Sequence, residues 1–135
     1  MHLTAHQREI FRQASGLILP AWRNMPDAAS LGIQMKRLDR AMKVRPDLIE
    51  PLVRVLNDMN LPFDFAQIKT LRQMSPPDFR ILRMLVCGAY YMHPMVKTAL
   101  GYQGQQAVSL PRSGFGGEEL VVSMMEQPKR YRDVK

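Results

Sequence analysis

Cysteine occurs once in the 135 residues, as Cys87. A single thiol forms no intrachain disulfide and supplies no cluster for zinc or iron, which excludes disulfide-stapled scaffolds and zinc fingers and suits a reducing compartment. Long apolar runs are missing as well: none approaches the roughly eighteen residues that cross a bilayer, so membrane insertion is not expected. The opening MHLTAHQREI has neither the basic nor the apolar region of an export signal. The expectation is a soluble, cytoplasmic chain. Acidic residues are scarce, twelve Asp and Glu against nineteen Lys and Arg, for a formal charge of +7. That balance favours an acidic contact, whether nucleic acid, anionic membrane or acidic protein surface. Glycine is rare until late: five of the eight lie between Gly101 and Gly117.

What is present is a folding composition, 46% hydrophobic and 23% charged, in a length that fits one modest domain. The pattern is helical. Thr4 with Gln7 forms a capping box, and Ile10, Phe11, Ala14, Leu17 and Ile18 share one helical face before Pro20 ends the segment. After a turn region, Leu31, Met35, Leu38 and Met42 alternate with a basic face of Lys36, Arg37, Arg40 and Lys43, closed by Pro46. Asp47 with Glu50 can cap the next helix, whose stripe is Leu52, Val55, Leu56 and Met59; Pro51 blurs its start. Phe65, Ile68, Leu71 and Met74 read as a brief helix. Ser75-Pro76-Pro77-Asp78 reads as a capped helix start, with Phe79, Leu82, Leu85, Val86 and Ala89 spaced for a core up to Tyr90-Tyr91. His93-Pro94 interrupts, and Gly101 stops the short helix that follows.

The fold class expected is therefore all-α, a small bundle of about five to six helices over 1–100, with an extended, glycine-rich, largely irregular tail over 101–135. Only Leu120 to Met125 has the apolar content for a further short element. The tail's Tyr102, Val108, Leu110, Phe115, Leu120, Val121 and Val122 suit a chain lying extended on another surface.

Catalytic constellations are sparse. His2 and His6 have metal-sharing spacing, but His2 precedes the cap and no third ligand is near. His93 before a proline suits capping or hydrogen bonding, and Cys87 within an amphipathic helix suits a buried small hydrophobe. Gly114-Phe115-Gly116-Gly117-Glu118 lacks the spacing and preceding strand of a phosphate loop and reads as a flexible turn. Met35, Met42 and Met59 have core spacing, whereas Met92, Met95, Met124 and Met125 could coat a contact surface. A stand-alone enzyme is the weakest reading, and a basic nucleic-acid-binding module on Lys36, Arg37, Arg40 and Lys43 is the alternative.

Two stretches resemble a known family. Leu17-Ile-Leu-Pro-Ala21 followed by Met25-Pro-Asp-Ala28 and Gly32-Ile33 resembles the opening of the gluconate 2-dehydrogenase subunit 3 family. The run from Tyr90-Tyr91 through Pro94 to Leu100-Gly101-Tyr102-Gln-Gly104-Gln105 is similar to that family's aromatic pair, proline, short helix and Gly-Tyr-x-Gly. Together they bracket residues 17 to 105. The resemblance implies a noncatalytic small subunit, with no cofactor, metal or catalytic residue of its own. It would bind a large flavin-dependent oxidoreductase of the glucose-methanol-choline superfamily, whose FAD abstracts hydride from a sugar, glycoside, sugar acid or alcohol. The chain departs from the family in lacking the twin-arginine signal many members carry, so a cytoplasmic complex is expected, periplasmic only through a signal-bearing partner. The expected contact residues are Tyr90, Tyr91, Pro94, Gly101, Tyr102, Gly104, Gln105, Leu110, Pro111 and Phe115, with Tyr90, Tyr91 and Tyr102 equally suited to fill the chain's own core. Gly101 and Gly104 serve as a helix stop and a tight turn.

Overall fold

The computed structural model describes residues 3–107 and 117–128. The chain divides into two compact units, 1–103 and 104–135. The first unit holds α1 (Ala5–Ile18), α2 (Lys36–Val44), a 3-10 turn Pro46–Leu48, α3 (Ile49–Asn57), α4 (Phe65–Met74), α5 (Pro76–Tyr91) and α6 (Pro94–Ala99). The second holds α7 (Gly117–Met125). No strand occurs among the described residues, and the fold is an all-α bundle.

α5 is the hub, packed against α1, α2, α3, α4 and α6. Its sequence explains the placement, because Leu82, Leu85, Val86, Ala89 and Tyr90 are all buried and spread apolar surface over more than one side of the helix. Around it lie Ile10, Phe11 and Ala14 of α1, Leu38 and Met42 of α2, Leu52, Val55 and Leu56 of α3, and Val96 of α6. Each fully buried aliphatic chain contributes about 1.5–3 kcal/mol.

Local chemistry sets most helix ends. At α1 the Thr4 hydroxyl accepts from Gln7 N at 3.2 Å while Gln7 Oε1 accepts from Thr4 N at 2.8 Å. Gln7 Nε2 also donates to Asn57 Oδ1 at 2.9 Å, so one residue closes the cap and ties α1 to α3. Asp64 caps α4 by accepting from Gln67 N at 2.9 Å.

Several expectations are corrected. Helix α2 starts at Lys36, because residues 28–35 form turns with Gly32 in the left-handed region at φ +64°. Leu31 and Met35 therefore leave the helical register, and Met35 is 53% exposed instead of in the core, while Met42 and Met59 are buried. Asp47 does not cap α3: the Arg45 guanidinium takes its carboxylate through Nε at 2.8 Å and Nη2 at 2.6 Å, and α3 has no side-chain cap. Ser75 precedes α5 as expected but makes no capping bond: its hydroxyl donates to Asp78 Oδ2 at 2.6 Å. Cys87 is half-buried, not enclosed. Burial pushes its thiol pKa up, partly offset by the Arg83 charge.

In the second unit α7 begins at Gly117, three residues before the anticipated element, with Glu118 and Glu119 in its first turn where the helix dipole favours negative charge. Its Leu120, Val121, Val122, Met124 and Met125 are all exposed.

Candidate functional site

The turn after α1 is a tight one. Trp22 and Met25 exchange backbone hydrogen bonds at 3.1 and 2.9 Å, and the intervening Arg23 sits at φ +54°, a left-handed conformation that costs a non-glycine residue about 1–2 kcal/mol. This geometry leaves Trp22 63% exposed, with the Arg23 guanidinium carbon 4.3 Å from its ring centroid.

Two long-range bonds tether that turn. Tyr90, one residue from the end of α5, donates its hydroxyl to Pro26 O at 2.7 Å. Asn24 Nδ2 donates to Ala99 O at 3.1 Å, which sets the turn beside the C-terminal end of α6. The two bonds thus hold residues 24–26 against Tyr90 and Ala99. Tyr90 is itself buried, so of the two roles open to it, contact anchor or core residue, its ring takes the second. The Pro26 carbonyl, at a half-buried position, accepts the phenol's proton. Burial, then the neighbouring Tyr91 and Asp27, push the Tyr90 pKa up and keep the hydroxyl a donor.

Tyr91 faces outward at 50% exposure, edge-on to Tyr90 with ring centroids 5.3 Å apart. His93 caps α6, its Nδ1 accepting from Met95 N at 3.3 Å, the capping role anticipated for it. Burial, with the Arg37 charge, lowers its pKa, which favours the neutral ring that can accept. Pro94 occupies the first turn of α6 and is exposed, as is Met95. At the far end Gly101 N bonds Thr98 O at 3.0 Å and Tyr102 N bonds Lys97 O at 2.9 Å, a Schellman closure that needs φ +67° at Gly101. The closure turns the Tyr102 ring toward Lys97, whose ammonium lies 6.0 Å from the centroid. Leu100 and Tyr102 are both more than half exposed.

In the second unit Gly104 has φ +91°, and Gly104 and Gln105 are exposed. Leu110, Pro111 and Phe115 lie outside the described residues, as do His2 and most of the Gly114–Glu118 segment.

Trp22 was missed by periodicity because it belongs to no helix. The usable signal was a lone tryptophan between Pro20 and Pro26, in a stretch that cannot form a helical face. On the basic face of α2, Lys36, Arg40 and Lys43 are exposed and Arg37 is half-buried. The acid between them, Asp39, is held by Arg8 at 2.7 Å. Among the described residues no group of three or more His, Cys, Asp or Glu is placed to hold a metal, and no helix is long and apolar enough to cross a membrane. No protein-family model, curated protein or solved structure matches this chain.

Proposed function

We propose that this chain is a noncatalytic small subunit that binds and stabilises a larger FAD-dependent dehydrogenase or oxidase acting on a sugar, glycoside, sugar acid or alcohol. The observation that carries the interaction role is the tethered surface of Trp22, Leu100 and Tyr102, three large side chains held more than half exposed around two long-range hydrogen bonds. Of the three, Trp22 and Tyr102 are aromatic anchors of the kind that supply much of the energy at interface cores. Arg23 and Lys97 beside them would meet an acidic rim on the partner. The exposed apolar residues of α7 suit the same role. The flavoenzyme identity of the partner rests on the family resemblance. Binding favours the partner's native state and so stabilises it by mass action.

A tagged pull-down from the native host at moderate salt, with an absorbance spectrum of the eluate between about 350 and 500 nm, where oxidised flavin absorbs, tests the reading. A flavin spectrum with a much larger co-eluting polypeptide is expected; a colourless eluate holding this chain alone overturns it. Trp22→Ala should lower capture at least about thirtyfold, a hot-spot effect of about 2 kcal/mol, while leaving helix content unchanged.

A second reading, a basic helical nucleic-acid-binding module, is favoured by one observation. Lys36, Arg40 and Lys43 are exposed and make no ion pair among the described residues. It predicts DNA or RNA binding that weakens steeply with salt. No binding at low salt would end it.

A further inference from the structure

A cleft on the first unit is built from a repeated pattern. Phe65, Lys69 and Arg72 fall at i, i+4 and i+7 on α4, and Phe79 and Arg83 at i and i+4 on α5. These intervals return to one helical face. The two faces meet the last turn of α1, where Leu17 and Ile18, with Ile68, complete a cavity of about 350 Å³. That volume lies at the lower end of the range for small-ligand pockets.

The polar chemistry of the lining is one-sided. Its only polar side-chain groups are the Lys69 ammonium and the Arg72 and Arg83 guanidiniums, and none of the three makes an ion pair or hydrogen bond among the described residues. Ammonium and guanidinium groups only donate. A sugar or an amide brought here would find no side-chain acceptor for its own donors, whereas an anionic head accepts from all three cations. The carbonyls ending α1 oppose an anion with about half a unit of negative charge, which three full cations outweigh. Two phenyl rings and three aliphatic side chains supply the remaining wall, which has no use for a hydrated ion alone.

We propose that this cleft binds a small amphipathic anion: one aromatic or branched aliphatic body carrying a phosphate or carboxylate head. The head meets Lys69, Arg72 and Arg83, and the body covers Phe65, Phe79 and the Leu17–Ile18 turn. The site is independent of the accessory-subunit role.

The test is a titration of the full, isotope-labelled chain with 1-naphthyl phosphate, followed by amide NMR shifts, with 1-naphthol and inorganic phosphate as separate arms. Saturable shifts should cluster at residues 17–18, 65–72 and 79–83. Neutralising exposed, unpaired side chains leaves the fold intact, so Arg72→Gln with Arg83→Gln should raise Kd about tenfold, and Phe65→Ala, also at an exposed position, about threefold or more. Each of the control arms should bind at least about fivefold more weakly than the naphthyl phosphate. Shifts scattered away from this cleft, equal binding of 1-naphthol, equal binding of inorganic phosphate, or an unchanged Kd in the double variant would overturn the proposal.

Discussion

Tyr90→Phe isolates the bond that pins the Trp22 turn. The ring stays in the core, and only the hydroxyl that donates to Pro26 O at 2.7 Å is lost. A neutral intramolecular hydrogen bond contributes a net of about 1 kcal/mol, and about 1–3 kcal/mol when its removal leaves a fully buried orphan. Pro26 is only half-buried, so water can reach its carbonyl and the cost should stay near the lower figure. For a unit of this size about 1 kcal/mol lowers Tm by about 4–8 °C. Trp22 is the one tryptophan, so its fluorescence reports the turn directly while circular dichroism reports the helices. In the variant, acrylamide quenching of Trp22 should rise before global unfolding, and the urea midpoint should fall. Adding Asn24→Ala removes the second tether, and the two effects should be non-additive because both bonds hold one turn. Tyr91→Phe is the control: its exposed hydroxyl should be worth less than about 0.5 kcal/mol. A Tyr90→Phe protein as stable as the parent with unchanged quenching, or a Tyr91→Phe protein equally weakened, would refute the tether.

Other outcomes follow from single features. Gly16→Ala would place a Cβ 2.8 Å from the Ala29 Cβ, and neither carbon can swing away, so a net loss of about 1–3 kcal/mol is expected despite the better helix former; Ala29→Gly in the same chain should restore the melting temperature. Gly101→Ala meets open space but must hold φ +67°, so thermal unfolding should show a loss of about 1 kcal/mol, with Gly101→Asn costing less. His93 has a folded pKa below its ordinary 6.5, so the unfolded chain takes up the proton first. Its stabilising contribution is complete above that ordinary value and is lost as pH falls through the lowered one. Urea midpoints should therefore drop more between about pH 7 and 5 in the parent than in His93→Asn, whose amide caps without titrating; equal drops would remove His93 from the acid response.

Helix termini were readable because their causes lie within a few residues. Thr4 and Gln7 close their box, His93 meets Pro94 at a break, and Gly101 supplies the left-handed residue that a Schellman closure demands. The same local logic failed where a competing neighbour was equally close: Arg45 took Asp47, and Asp78 took the Ser75 hydroxyl. The apolar stripes of α3 and α5 were legible from spacing, but Met35 was not, since the turn geometry around Gly32 broke the register that its spacing assumed.

By itself the sequence determined an all-α chain, the boundaries of most helices and the change of character near Gly101, because caps, prolines and periodicity act over one or two turns. Tertiary structure alone decided which of two adjacent tyrosines enters the core, since the Pro26 acceptor for Tyr90 comes from 64 positions earlier in the chain. It alone turned Trp22 outward beside the end of α6, and it alone gathered Lys69, Arg72 and Arg83 around one cleft with the last turn of α1. Those placements depend on which helix faces meet, and helix packing is a contest among distant residues that no local pattern records.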